Sequence, residues 1–201
     1  MAIYLDEDEV GADAQTIGFP HLLLCMGVAV VMNDGSLIGA HVSSLSTENV
    51  VLGQLNADIV AHGGAMQYLY CFADMAVHCG VHHCMDIAGK ANAIGFHGQG
   101  YEFDFGYAQP RDGAYVEITS AGAASPALIR FKRNEKVAYD TSVPGPNATK
   151  ATLNFFGAPR TYAKATNTIG VAGKTKKFLG YAYGQHHIRT IPTASLTAHN
   201  L

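Results

Sequence analysis

The stretch 22–44, LLLCMGVAVVMNDGSLIGAHVSS, constrains this chain more than any other. Leu22–Met32 is an apolar strand pattern, Asn33-Asp34-Gly35 is a turn signal, and Ser36–Ser43 is a return strand. Asp34-Gly35 supplies the positive φ angles that a tight reversal needs, so the pattern predicts a β-hairpin. A lone cysteine, Cys25, enters the first strand, and a histidine, His41, sits on the second. A thiol becomes a useful nucleophile when something lowers its pKa or removes its proton, and a nearby imidazole does both.

The turn decides whether the two side chains meet. A strict two-residue loop, Asp34-Gly35, puts Cys25 and His41 on opposite faces of the ribbon. A three-residue loop, Asn33–Gly35, or a bulge near Gly27 or Gly39, returns them to one face. Cys25 then lies opposite Ser43 and His41 opposite Gly27. Gly27 and Gly39 carry no side chains, and the expectation is an open pocket between thiol and imidazole. Beside this stands the plainer alternative that Cys25 is a small core hydrophobe, as buried cysteines commonly are.

The chain has 201 residues, 48% of them hydrophobic, which suits one large domain or one domain with an appendage. Leu22–Met32 and Ile59–Val77 are too short or too interrupted by polar residues to span a bilayer, so no membrane span is expected. The opening MAIYLDEDEV is acidic where a secretory signal is basic. The expected location is therefore cytoplasmic, or outside the cell through a signal-peptide-independent secretion system. Four cysteines, Cys25, Cys71, Cys79 and Cys84, are too few for a disulfide scaffold.

Charge is unevenly spread. All sixteen acidic residues lie at or before Asp140, together with six basic ones, while residues 141–201 carry seven basic groups and no acid. A segment of one sign suits an acidic partner, or docks on the acidic body of its own domain, including Asp6–Glu9.

The remaining pattern predicts an α+β, sheet-rich fold with one main helix. The helix is placed at Met66–His78, ending at Gly80, with a strand at Val81–Ala88 before a Gly-rich turn. Ser44–Gly53 reads as a connection in which Ser46 or Thr47 is able to cap a helix start. Short strands are expected at Ile3–Leu5, Tyr101–Tyr107, Ala114–Thr119, Ala127–Lys132 and Lys136–Tyr139, the last two forming a hairpin. Val143-Pro144-Gly145-Pro146 reads as a linker. It divides a catalytic domain, 1–140, from a basic β-rich extension, 141–201, packed on it, with strands at Ala151–Phe156, Thr161–Thr166 and Phe178–Tyr183.

His78-Cys79-x-x-His82-His83-Cys84 is the one metal-like grouping. Thiolate and imidazole suit zinc, and Cys79, His82 and Cys84 are the ligands a small zinc-binding protein would use. A strand through 81–88 scatters them over two faces, and paired Cys-x-x-Cys elements are absent, so no metal and no cofactor is expected. Gly89-Lys90-Ala91 and Gly173-Lys174-Thr175 lack the upstream glycine of a phosphate loop. Tyr181 and Tyr183 beside Lys176 and Lys177 are too slight a signal for stacking on nucleic acid, and no such partner is expected.

The hairpin resembles the signature of the chemoreceptor glutamine deamidases (CheD), in which a cysteine enters a Val-Ala-Val strand and Gly-x-x-His follows across a turn. The matching residues are Val28-Ala29-Val30 and Gly39-Ala40-His41-Val42. The predicted elements from 66 to 139 also follow in that family's order, so the likeness covers roughly 15–140 at the level of pattern. The Cys-to-His spacing is similar to that of the cytotoxic necrotizing factor type of toxin deamidases. With Val28-Ala29-Val30 in register, the family cysteine falls on Gly27, and Cys25 stands two residues earlier on the same strand face.

The resemblance implies a sheet-rich α/β sandwich and a cysteine amidohydrolase acting on glutamine or asparagine side chains of a partner protein. That partner is acidic if the basic extension recognises it, and the chain could be a bacterial effector or toxin. Cys25 is the implied nucleophile and His41 the base. A threonine upstream of the cysteine orients the histidine in that family, which points to Thr16, with Ser43 second. The alternative is a non-catalytic binding or structural module on the same fold.

Overall fold

The computed structural model describes residues 3–5, 7–20, 22, 24–43, 45–75, 86–105, 114–133, 137–140, 150–155, 158–164, 167–168, 177–181 and 189–201. The strands before the first helix are β1 (Ile3–Tyr4), β2 (Glu9–Asp13), β3 (Thr16–Phe19), β4 (Met26–Met32) and β5 (Leu37–Val42). Helix α1 (Leu45–His62), β6 (Met66–Ala73), helix α2 (Ile87–Ile94) and β7 (Gln99–Asp104) follow. Then come β8 (Ala114–Thr119), β9 (Leu128–Arg133), β10 (Val137–Asp140), β11 (Lys150–Phe155), β12 (Ala158–Lys164) and β13 (Asn167–Thr168). The last are β14 (Lys177–Tyr181), β15 (Arg189–Ile191) and β16 (Thr197–Asn200).

Two sheets of seven strands dominate. The first has the order β11-β12-β1-β3-β8-β9-β15, the second β13-β2-β5-β4-β6-β7-β16, and β10 pairs with β14 alone. Period-2 alternation sorts the apolar residues into two cores. Ile17, Phe19, Val116, Ile118, Ile129 and Phe131 of the first sheet meet Ala29, Val31, Leu37, Tyr70 and Phe72 of the second. On its other face the second sheet presents Val28, Val30, Ile38, Ala40, Leu69 and Cys71 to α1 and α2. The fold is therefore α+β, with a shared core between two sheets and helices on one outer face.

Four local expectations need correction. Met66–Ala73 is a strand, not the start of a helix. Tyr68, Tyr70 and Phe72 turn to the inter-sheet core while Leu69, Cys71 and Ala73 turn to the helices. A strand buried on both faces is apolar throughout, and such a run imitates helical spacing. The principal helix is α1, in the stretch read as connection, where Val51, Leu52, Leu55 and Ile59 pack on the sheet. Ile87–Ile94 is also helical, so there are two helices among the described residues rather than one. Asp86 begins α2, its carboxylate accepting from the Gly89 N–H at 3.1 Å, and Gly95 closes it in the left-handed conformation. A Cβ on Gly89 would overlap that carboxylate.

The expected hairpin at 127–139 does not form as such. β9 pairs with β8 and β15, whereas β10 pairs with β14. The remaining strand expectations at 3–5, 101–107, 114–119, 151–156, 161–166 and 178–183 fall on β1, β7, β8, β11, β12 and β14. Strand pairing crosses residue 140 at β12 on β1, β13 on β2, β15 on β9 and β16 on β7. No described helix is long and apolar enough to cross a membrane.

Candidate functional site

The β4–β5 hairpin has the register that a three-residue loop dictates. Gly27 stands opposite His41 and Val31 opposite Leu37. The Met32 N–H donates to the Ser36 carbonyl at 2.8 Å, and Gly35, with φ of 85°, donates to the Met32 carbonyl at 2.9 Å. Asn33–Gly35 is thus the loop, and its glycine carries the left-handed angle. Cys25 lies just ahead of β4, at the register position facing Ser43, and belongs to the inter-sheet core. His41 occupies the same face, 6.4 Å from the Phe19 ring centroid. Thiol and imidazole are diagonal neighbours across the hairpin, a relation that separates backbone positions by about 7 Å and lets long side chains meet.

The expected open pocket over the glycines is absent. A Cβ on Gly27 would overlap the Phe72 ring, and one on Gly39 would crowd Phe19 and Ile17. The vacancy left by two missing side chains is filled by aromatic rings, Phe19 and Phe72 packing edge to face at 5.0 Å. Cys25 keeps 5% exposure and His41 none, while neighbouring Leu24 is 58% exposed. Cys25 is therefore nearly buried beside an exposed neighbour.

His41 is held by the chain that crosses between the sheets. Leu5 donates its N–H to the Gly18 carbonyl of β3 at 2.8 Å, and its own carbonyl lies 2.8 Å from His41 Nδ1. A carbonyl only accepts, so Nδ1 carries the hydrogen and Nε2 is the basic nitrogen of the neutral ring. Three residues on, Asp8 turns the chain into β2 with φ of 60° and donates its N–H to the His41 carbonyl at 2.7 Å. The Asp8 carboxylate accepts from Ser43 N at 3.0 Å, Ser43 Oγ at 2.7 Å and Thr47 Oγ1 at 2.9 Å. Asp8 and Glu9 are 4% and 1% exposed, so half of the acidic run Asp6–Glu9 is interior rather than a surface for the basic segment.

Thr16 is placed elsewhere. Its hydroxyl lies 3.2 Å from that of Thr119 on β8, and its backbone N–H is held by Asp13 Oδ1. Ile17 and Phe19 face the core, so period 2 turns Thr16 to the outer face of the first sheet. Asp13 pairs with Leu37, four residues along β5 from His41, which is about 13 Å of strand. The His41 ring bonds the Leu5 carbonyl through Nδ1, and Ser43, just past the end of β5, bonds Asp8. A backbone carbonyl has no sequence signature, and Asp8 is hidden within an acidic run; neither was readable as part of a site.

Other sequence candidates resolve differently. Cys71 is fully buried under the helices, and desolvation pushes its thiol up to about 12, against the nearby Lys90 charge that favours the thiolate. Lys90, in the stretch likened to a phosphate loop, is 4% exposed and pairs with Glu48 of α1 at 3.2 Å. Cys79, His82 and Cys84 lie outside the described residues, and among those described no three metal-ligating side chains gather. No protein-family model and no characterised protein matches the chain.

Proposed function

We propose that this chain is a cysteine-dependent amidohydrolase of the CheD-like kind, deamidating glutamine or asparagine side chains of a partner protein. One observation carries the reading: Cys25 and His41 share the inner face at one end of the hairpin, with His41 tethered through Nδ1 so that Nε2 is the base. In this mechanism Nε2 takes the Cys25 proton and the thiolate attacks the carboxamide carbon. The tetrahedral intermediate collapses with cleavage of the C–N bond, and the imidazolium protonates the departing ammonia. Water, deprotonated by Nε2, then hydrolyses the thioester to a carboxylate and restores the thiol. In this reading the substrate side chain enters beside Leu24, the exposed neighbour of Cys25.

A second reading, a non-catalytic binding module, is favoured by the packing of Phe72 and Phe19 over Gly27 and Gly39. Thiol reactivity separates the two. Under the first reading, iodoacetamide at pH 7.5 (about physiological) labels Cys25 faster than Cys71, Cys79 and Cys84, and His41→Ala abolishes the difference. Equal, slow labelling of all four in peptide mass spectra would sink the amidohydrolase and support the second reading.

A further inference from the structure

We propose that Asp8 is the positioning residue for His41, acting through the strap of residues 5–8; this rests on the amidohydrolase reading above. The strap links β1 of the first sheet to β2 of the second. It touches His41 twice. The Leu5 carbonyl holds the ring through Nδ1, and the Asp8 N–H holds the backbone carbonyl. Leu5 and Asp8 thereby fix both the ring and the backbone of His41.

Asp8 is the residue that fixes the strap. Its φ of 60° lies in the left-handed region, where aspartate is tolerated but glycine is the ordinary choice for a bulge of this form. What glycine lacks is the carboxylate, and here both oxygens are used. Oδ1 accepts from Ser43 N and Thr47 Oγ1, and Oδ2 from Ser43 Oγ. Ser43 follows His41 by two residues, just past the end of β5, and Thr47 lies in the first turn of α1. The carboxylate thus ties three things at one point: the strap, the His41 strand and the start of the helix. Among the described residues, the charged and titratable groups beside His41 are Asp8 itself, Glu9 at the next register position of β2, and Cys25 across the hairpin; the first sheet contributes Phe19.

A role confined to capping α1 predicts lower stability and nothing more. Positioning predicts a change at the imidazole. The test uses the full chain with ¹⁵N-labelled histidine, following the His41 tautomer by NMR and Cys25 labelling by iodoacetamide across pH. Wild type is expected as the Nδ1–H tautomer. Asp8→Gly keeps the backbone turn and removes the carboxylate; it should give a mixture of tautomers and label Cys25 about tenfold more slowly, while Asp8→Asn stays within about threefold of wild type. An unchanged tautomer and unchanged labelling in Asp8→Gly would overturn the proposal. If Asp8→Gly fails to fold, Ser43→Ala, which removes one of the three bonds, decides by the same two readouts. Slow labelling of wild-type Cys25 would remove the amidohydrolase reading alone, because the tautomer measurement stands without it.

Discussion

Gly27 stands where the family pattern places a cysteine, directly opposite His41, and the Phe72 ring lies over it. Adding even a methyl group there forces the ring or the strand to shift, so Gly27→Ala should destabilise the protein by about 1–3 kcal/mol. In a Phe72→Ala background the same substitution should cost well under 1 kcal/mol (about 0.5), a coupling that urea denaturation of the four proteins measures. Cys71 gives a second residue-scale prediction. Its thiol is held up to about 12 from an ordinary value of 9.0, chiefly by desolvation. Between those values the unfolded chain releases a proton that the folded chain keeps, so stability falls as pH rises from 9 towards 12. Cys71→Ala should flatten that decline while lowering stability at neutral pH, and denaturation midpoints across the alkaline range check both.

The helices show where local pattern and tertiary packing part company. α1 contains Gly53, Asn56 and four β-branched residues beyond its first turn, and exposes Val50 and Val60 as well as burying Val51, Leu52, Leu55 and Ile59. With apolar side chains on both sides, no amphipathic stripe marks it, and its stability comes from the sheet beneath. The Lys90–Glu48 pair links α1 to α2, with Lys90 buried and Glu48 partly buried. Lys90→Met should therefore cost about 3 kcal/mol by leaving Glu48 without its cation, whereas Lys90→Met with Glu48→Leu should recover most of it. Thermal denaturation of the single and double variants tests this; equal losses would show that the pair's charge is irrelevant.

The hairpin, by contrast, was legible as two strands and a turn, because that pattern is local information, while the choice between a two-residue and a three-residue loop, and with it the register, came from the structure. β6 was not, since both its faces are buried and period 2 leaves no polar mark. The same limit applies to the site. Cys25 and His41 were visible as residue types, while the Leu5 carbonyl and the Asp8 knot depend on a crossover between sheets that no short window contains.

At the scale of the whole molecule, the second sheet is completed by the last strand. β16 lies antiparallel on β7, Leu201 and Gly98 exchange both backbone hydrogen bonds at 2.9 Å, and Gln99 Nε2 donates to the His199 carbonyl at 2.8 Å. Leu201 also packs against the core beneath the helices, where a Cβ on Gly100 would crowd it. On the first sheet, β15 covers β9 in the same way, and Leu196 between the two strands reaches the inter-sheet core. One segment thus protects an edge of each sheet, and unprotected edges are sites of fraying and self-association. Ending the chain after Ser195 should remove Leu196, Leu201 and the β7 pairing together, a loss of about 2–4 kcal/mol from apolar burial. Hydrogen exchange should then rise first in Gln99–Asp104, while the β4–β5 amides, two strands away in the order β5-β4-β6-β7, keep their protection until global unfolding. Uniform loss of protection across both sets would instead mean that the sheet opens as one unit, and that the last strand is part of what holds His41 in place.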